Sequence, residues 1–431
     1  MKKITSRAVS VLLIAALVIV GMGVYVGRYI FHGEDWALYF SGQNSKSTGV
    51  LKDRNGVVLA SFSPEEKLYS QDELTRLANY HVLGDYWGRT GSGILSRFQS
   101  GVYNFSLLSG TTRASSNKMV LNIDSELNKT AYNAINGRKA AVLLSNYKTG
   151  EILSMVSTPV LDPAGENAEV PEGAYINRCL SASFVPGSVF KLITAAAAIE
   201  NIPDIYEKEF YCDGVYTIAG VDIKCSGTHY TQTFEQAMAN SCNSACAQIS
   251  VMLGQDTMKH YVKQYGFLDS HKLNGIHTAK GSYPQEFIGD PELAWSGIGQ
   301  STDLVCPYSM LRFVSAVANG GVLCEPSLVK DDKRPDKSQL MPAQTADKLK
   351  QLMSYNVSAH YQQRLDFSGL NLCAKTGTAE LGDGSSHAWF TGFLDDDEHP
   401  YAFVVVIEQG GGGLSAAGPV ARSLLLEACK R

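Results

Sequence analysis

The sequence predicts an α+β fold, in which an antiparallel sheet is flanked by helices and preceded by a membrane-spanning helix and a smaller mixed α/β domain. Residues 140–157 have the pattern of a strand, a turn and a second strand, and 387–393 and 401–408 are two more β-rich segments. An alanine-rich run at 192–199 favours helix and lies between these strands. Strands separated by helical segments indicate a sheet with helices packed against it. A long apolar run at 8–26 predicts the membrane helix.

Length and composition fit a large folded protein. The 431 residues suffice for two or three domains, and 45% of them are hydrophobic. The net charge of −5 gives no indication of a basic face for nucleic acid. We therefore expect no nucleic-acid partner.

The N-terminal apolar run is long enough to cross a membrane. About twenty apolar residues span the bilayer core, whereas the apolar core of a signal peptide is shorter. We therefore expect an uncleaved anchor at 8–28 after a cytoplasmic tail at 1–7. The positive-inside rule predicts that the rest of the chain is extracytoplasmic. The charges that set this orientation are Lys2, Lys3 and Arg7, which lie before the run, while Arg28 ends it.

Residues 33–138 have short strand-like pieces interrupted by Gly and Ser, which predicts a small mixed domain and a hinge. Within it, the Asn55-Gly56 pair precedes an apolar segment, a pattern typical of a β-hairpin. The larger domain is expected at 139–431.

A nucleophile with an adjacent base is predicted at Pro186-Gly187-Ser188-Val189-Phe190-Lys191. Pro and Gly end the preceding element, so Ser188 lies in the first turn of the helix that follows. Residues three apart share a helix face, which brings the Lys191 amine beside the Ser188 hydroxyl. A serine becomes nucleophilic when a neighbouring base takes its proton, and a desolvated lysine can do so. The alternative for this motif alone is a helix cap followed by a solvated lysine.

Two further motifs follow in order, Ser241-Cys242-Asn243 and Lys375-Thr376-Gly377-Thr378. Singly, the first is typical of a helix cap and the second of a turn. The order and spacing of S-x-x-K, S-x-N and K-T-G resemble the penicilloyl-serine transferases. The chain resembles the class B penicillin-binding proteins among them, of the short type with a pedestal and a transpeptidase domain.

This resemblance implies a role for each motif residue. Ser188 would be the acylated nucleophile, with Lys191 as its general base and Ser241 as a proton relay. The backbone N–H groups of Ser188 and Thr378 would form the oxyanion hole. The remaining motif residues would bind substrate: Asn243, Lys375, Thr376, Gly377 and Thr378. We expect Gly377 to let the strand approach the substrate closely.

The implied reaction is D,D-transpeptidation of peptidoglycan stem peptides through a serine acyl-enzyme, with β-lactams as inhibitors. The implied partners are D-Ala-D-Ala donors, amine acceptors and a SEDS-type glycan polymerase in the membrane, and no cofactor is required. Two alternatives remain: a D,D-carboxypeptidase or β-lactamase, in which water is the acceptor, and a membrane-tethered scaffold or β-lactam sensor without turnover.

The resemblance extends loosely into the pedestal. Asp53-Arg54-Asn55-Gly56 is similar to an element near the membrane in this family, although the usual Arg-Gly before it reads Thr48-Gly49 here. The segment 81–93 is similar to one in pedestal-only members. Near the other end, the glycine run 410–413 lacks the Lys-Ser/Thr of a phosphate-binding loop, so we expect a flexible connector.

The chain has nine cysteines, an odd number for an extracytoplasmic protein. Cys212, Cys225, His229 and Cys242 come from segments expected near the rim of the site. Three thiolates and an imidazole suit tetrahedral zinc. The alternatives are a Cys212–Cys225 disulfide and a set of free thiols.

Overall fold

The structure is a computed structural model, and it describes residues 2–40, 49–62, 67–86, 88–95, 105–106, 110–111, 117–165, 169–331 and 335–431. Thr48, and Trp87 within the segment 81–93, lie outside these residues.

The helices are Lys2–Phe40, Glu73–Ala78, Tyr80–Leu83, Ser125–Ile135, Lys191–Asn201, Phe234–Ala239, Asn243–Leu253, Gln255–Gln264, Gly289–Ser296, Pro307–Ala318, Ala343–Asn356, Gly413–Ala416 and Gly418–Ala428, with a 3₁₀ turn at Gly187–Val189 and a π turn at Val357–Tyr361. The strands are Gly49–Lys52, Val58–Phe62, Lys67–Tyr69, Phe105–Ser106, Gly110–Thr111, Asn117–Val120, Ala140–Asn146, Ile152–Thr158, Glu209–Cys212, Val215–Ile218, Val221–Lys224, Tyr230–Thr233, Lys272–Leu273, Ile276–His277, Val322–Cys324, Lys337–Gln339, Leu372–Glu380, Ser386–Leu394 and Tyr401–Ile407.

The N-terminal helix, Lys2–Phe40, is longer than the predicted anchor. Its stretch Arg7–Phe31 is long and apolar enough to cross a membrane, and the most apolar part of it is not buried against the rest of the chain. An apolar stretch of helix that is left unburied suits a lipid environment.

One five-stranded antiparallel sheet supports the larger domain. Its order is Leu372–Glu380, Ser386–Leu394, Tyr401–Ile407, Ala140–Asn146, Ile152–Thr158. These are the β-rich segments that the sequence indicated, so the predicted fold class is confirmed. The first strand, which carries the Lys375 motif, forms an edge of the sheet.

Side chains alternate between two buried clusters, one on each face of the sheet. Leu143 and Val404 belong to the cluster that includes the alanine-rich helix Lys191–Asn201. Val142 and Val405, their neighbours in sequence, belong to the other cluster, with the C-terminal helix Gly418–Ala428. Because both faces are covered, the strands are apolar almost throughout.

The smaller domain is built on a four-stranded sheet, in the order Lys67–Tyr69, Val58–Phe62, Gly49–Lys52, Asn117–Val120. The middle two strands are antiparallel and joined through Asn55 and Gly56, as the sequence predicted. The buried Asp53 carboxylate accepts hydrogen bonds from Asn55 N and Val57 N inside the turn, and from the Ser125 hydroxyl at 2.6 Å. This carboxylate therefore links the hairpin to the helix Ser125–Ile135 that leads into the larger domain.

Candidate active site

Ser188 lies in a 3₁₀ turn, Gly187–Val189, immediately before the helix Lys191–Asn201. The side chain is half-buried, and within the described chain its hydroxyl makes no hydrogen bond shorter than 3.5 Å. The turn packs against the strand Leu372–Glu380. Gly187 has a φ of +55°, and a Cβ there would lie 2.7 Å from the carbonyl oxygen of Thr378. Only glycine allows this approach, which brings Ser188 next to Thr378.

Lys191 is completely buried, and its amine does not hydrogen-bond to Ser188. It donates instead to the Ser241 carbonyl oxygen at 2.5 Å and to Asn243 Oδ1 at 2.7 Å. Burial, helped by the positive charge of Lys375, lowers the pKa of Lys191 to about 8. A neutral amine has two N–H donors and one lone pair. Because these two acceptors occupy both donors, the lone pair remains available for a proton.

Ser241, Cys242 and Asn243 form a tight turn at the start of the helix Asn243–Leu253. Ser241 has a φ of +52°, a left-handed conformation that costs a non-glycine residue about 1 kcal/mol or more. Cys242 is the cap residue, and its sulfur accepts a hydrogen bond from Ala245 N at 3.4 Å. The strained turn aims the Ser241 carbonyl at the amine of Lys191, and strain of this kind is concentrated at functional sites.

Lys375 is the second buried amine of the site. It donates to the Ser241 hydroxyl at 2.8 Å and to the Thr376 carbonyl at 3.0 Å. Burial lowers its pKa to about 8 as well. The Ser241 hydroxyl therefore lies between two amines, since Lys191 Nζ is 3.4 Å away on the other side. A hydroxyl in this position can pass a proton from one amine to the other.

The two threonines of the Lys375 motif are held by groups from other elements. The Tyr361 hydroxyl accepts a hydrogen bond from Thr376 N and is 3.1 Å from Thr376 Oγ1. Gly413 N donates to Thr378 Oγ1 at 3.2 Å. Gly413 begins a short helix packed over the strand, so this end of the glycine run supports the site and is not the flexible connector that we predicted.

These residues surround one cavity of about 600 Å³. Its walls carry Ser188, Ser241 and Asn243 on one side and Thr376 and Thr378 on the other, while the two lysines lie buried behind. The cavity also has a wall that the motifs do not supply, formed by Lys224, Trp295, Ile298, Gln300 and Arg364 among others.

Gly377 is close to the nucleophile turn, the 3₁₀ turn Gly187–Val189 that carries Ser188. A Cβ at Gly377 would lie 2.7 Å from the Pro186 carbonyl oxygen and 3.1 Å from the Val189 side chain. Its missing side chain therefore makes room for the turn that carries Ser188, a different reason from the close approach of substrate that we expected.

The transpeptidase domain model of penicillin-binding proteins matches residues 140–426. The chain belongs to this penicillin-binding protein family. Stage V sporulation protein D of Bacillus subtilis is 29% identical over 302 residues, which are 65% of this chain and 47% of that protein. The peptidoglycan D,D-transpeptidase PbpA of Mycobacterium tuberculosis is 28% identical over 331 residues, 67% of this chain and 66% of that protein. The chain thus spans between about half and two thirds of the length of these curated relatives.

Solved structures of penicillin-binding proteins share the fold. A ceftriaxone acyl-enzyme complex of M. tuberculosis penicillin-binding protein A has a TM-score of 0.75 at 22% identity, and covers 90% of this chain and 99% of that one. A D,D-transpeptidase domain from Eggerthella lenta has a TM-score of 0.74 at 23% identity, and covers 89% of this chain and 99% of that one.

Some residues at this penicillin-binding protein site had no signal in the sequence. Tyr361 and Gly413 contact the motif threonines from segments without a recognised pattern, and Arg364 follows a π turn that periodicity does not indicate. Arg178 forms a largely buried ion pair with Glu408.

The predicted cysteine and histidine cluster comes together beside the Ser241 turn. The ligand atoms of Cys212, Cys225, His229 and Cys242 all lie within 4.8 Å of one another. Cys225 Sγ is 3.8 Å from Cys242 Sγ and 3.6 Å from His229 Nδ1, which is 3.5 Å from Cys212 Sγ. All nine cysteines are free, so the structure has no Cys212–Cys225 disulfide. Hydrogen bonds from Cys242 and from Asn243 N lower the pKa of Cys225.

Proposed function

We propose that this chain is a membrane-anchored peptidoglycan D,D-transpeptidase that acts through an acyl-enzyme on Ser188. The observation that carries the proposal is the buried Lys191 amine, whose pKa is lowered and whose two N–H donors are engaged by Ser241 and Asn243. Such an amine serves as a general base for the neighbouring hydroxyl.

In the first step, Ser188 Oγ attacks the carbonyl carbon between the two D-Ala residues of a stem peptide, and Lys191 takes the hydroxyl proton. The oxyanion receives hydrogen bonds from the N–H groups of Ser188 and Thr378. The C–N bond then breaks, and Ser241 relays the proton that Lys191 took from Ser188 to the departing D-Ala amine, while Lys375 keeps its own proton and donates a hydrogen bond to the Ser241 hydroxyl. The acyl group remains as an ester on Ser188.

Substrate binding is assigned to the walls of the same cavity. The Asn243 side chain binds the peptide amide, and the hydroxyls of Thr376 and Thr378 bind the terminal carboxylate. Lys375 supplies positive potential, and Gly377 lets the nucleophile turn approach the strand.

In the second step, an amine of a neighbouring peptide attacks the ester, forms the cross-link and releases Ser188. With water as acceptor the enzyme would be a carboxypeptidase or a β-lactamase. Incubation of the purified full-length protein with a D-Ala-D-Ala peptide and an acceptor amine tests this. We expect release of one D-Ala per amide formed, whereas release without amide formation would assign the hydrolase instead.

The scaffold or sensor alternative predicts that turnover is dispensable. Ser188→Ala in the chromosomal gene should abolish complementation, while the protein reaches wild-type levels in the membrane. Full complementation by this variant would assign the scaffold.

The division into a tail at 1–7, an anchor at 8–28, a pedestal and hinge at 33–138 and a transpeptidase domain at 139–431 is part of the proposal. With positive-inside orientation the last two face the cell wall. A reporter that works only in the cytoplasm, fused after Arg431, should be inactive.

A SEDS-type glycan polymerase should copurify from membranes, and its absence after crosslinking would remove it as a partner.

We infer that the cysteine cluster binds one structural zinc ion. Tetrahedral zinc with bonds of about 2.3 Å to sulfur and 2.0–2.1 Å to nitrogen requires S–S edges of about 3.8 Å and S–N edges of about 3.5 Å. The three distances given above agree with these edges. Four protein ligands leave no open position, so zinc would crosslink the segment 212–229 to the Ser241 turn. Asn243 N already donates to Cys225 Sγ at 3.2 Å.

Metal analysis of protein purified without added zinc tests this inference. We expect about one zinc per chain, lost in Cys225→Ser and retained in Cys429→Ser, a cysteine outside the cluster. Nine free thiols without zinc in the wild type, or a Cys212–Cys225 disulfide, would refute the zinc site.

A further inference from the structure

Arg364 is an exposed arginine at the rim of the active site, and its guanidinium has no partner. Among the described residues, none places a carboxylate within 4.0 Å of it, and none accepts a hydrogen bond from it. Most other arginines near the larger domain's core are paired, as Arg178 is with Glu408 and Arg312 with Glu325. An unpaired guanidinium that faces a cavity is available to a ligand.

The backbone directs Arg364 towards the threonines of the Lys375 motif. The helix Ala343–Asn356 continues into the π turn Val357–Tyr361, an irregularity often found at functional sites. The turn fixes Tyr361 against Thr376, and Arg364 N donates to the Tyr361 carbonyl oxygen at 3.0 Å. Arg364 and Thr376 therefore lie on one rim, and they line the main cavity together with Ser188 and Thr378.

A side cavity of about 410 Å³ opens beside the same two residues. Its lining includes Ser241, His229 and His360, but no aspartate or glutamate from the described chain. His360 Nε2 is 3.0 Å from Asn240 Oδ1. Burial lowers the pKa of His360, and the nearby charge of Arg364 lowers it further, so His360 adds no positive charge at neutral pH. Arg364 thus contributes a permanent positive charge to this lining, and no acid of the described chain balances it there.

We propose that Arg364 forms a subsite for a carboxylate of the peptide substrate. This inference rests on the proposed function, because it assumes that a stem peptide occupies the main cavity. The location favours the terminal D-Ala carboxylate, since Arg364 shares a wall with Thr376 and Thr378. A side-chain carboxylate of the stem peptide has the same chemistry, and the test below separates the two.

The carboxylates already present in the main cavity do not satisfy Arg364. Asp222 and Glu380 line this cavity, yet neither forms an ion pair with the guanidinium. Asp222 instead accepts a hydrogen bond from Thr217 Oγ1 at 2.6 Å. The Arg364 guanidinium can therefore pair with a carboxylate of the substrate.

The test measures acylation of the full-length protein by benzylpenicillin and by its methyl ester, which lacks the carboxylate. Arg364→Gln should slow acylation by the acid by about 10- to 100-fold, the range for a lost charge-assisted hydrogen bond. It should change acylation by the ester less than about threefold, and Arg364→Lys should restore part of the loss. Arg422→Gln removes an arginine that is paired with Asp366, and it should behave like wild type.

Two outcomes would overturn this inference alone: wild-type behaviour of Arg364→Gln with both benzylpenicillin and the stem peptide, or equal losses with acid and ester, which would indicate a structural role. A wild-type protein that neither compound acylates would overturn the proposed function as well. Stem peptides amidated at the terminal or at the side-chain carboxylate then identify the bound group. Amidation of the bound carboxylate should abolish the difference between wild type and Arg364→Gln.

Discussion

Gly187→Ala should reduce stability and slow acylation by more than the backbone strain of the substitution alone would cause. A Cβ at this residue would lie 2.7 Å from the Thr378 carbonyl oxygen and 3.0 Å from Ala379 Cα, both on the strand that carries the Lys375 motif. The left-handed φ costs about 1 kcal/mol, and overpacking against backbone adds about 1–3 kcal/mol. We therefore expect the free energy of unfolding to fall by up to about 2–4 kcal/mol. Movement of the turn should relieve part of this strain. Movement approaching 1 Å costs about 100-fold in rate.

The matched control is Gly320→Ala. Gly320 has a similar φ of +63°, but nothing lies within 4 Å of its Cβ position. This variant should lose only about 1 kcal/mol in free energy of unfolding, and a penicillin should acylate it at nearly the wild-type rate. Thermal unfolding measures the stability of the two variants, and the second-order rate constant of acylation by a fluorescent penicillin measures the effect on the site. Equal behaviour of the two variants would refute the tight docking of the nucleophile turn.

Two further predictions concern charge. The acylation rate should rise with pH up to about 8, because Lys191 accepts the proton only when neutral, and should fall above that as Lys375 loses its charge. A rate that is constant from pH 6 to 10 would contradict the roles of both lysines. Glu408→Ala should destabilise the fold by about 3 kcal/mol, since it leaves Arg178 buried without its carboxylate, whereas Glu427→Ala, in an exposed pair, should cost below about 1 kcal/mol. Similar unfolding midpoints for these two variants would show that the buried pair contributes little.

The sequence was informative where a residue's role depends on its immediate neighbours. The Ser188 turn, the hairpin at Asn55-Gly56 and the strand that carries Lys375 each have a local pattern, and the structure has each of them. The cysteine and histidine cluster was also anticipated, because Cys242 lies inside a motif that had to reach the site.

Long-range contacts could not be predicted in this way. The Lys191 amine was expected beside Ser188, but its hydrogen bonds go to Ser241 and Asn243, about fifty residues away. Tyr361 and Gly413 meet the motif strand only in the folded chain, through a π turn and a short helix that periodicity does not specify. The missing side chain of Gly377 was expected to make room for substrate, but the group nearest to its Cβ position is the Pro186 carbonyl oxygen.

Covalent labelling by a fluorescent penicillin tests the central claim most directly. The compound should leave one stable adduct per chain on the peptide that contains Ser188, identified by mass spectrometry. Lys191→Ala should slow its formation by at least about 100-fold, the scale of general-base catalysis. Rapid hydrolysis of the compound would assign a β-lactamase, and labelling that survives Ser188→Ala would contradict the mechanism.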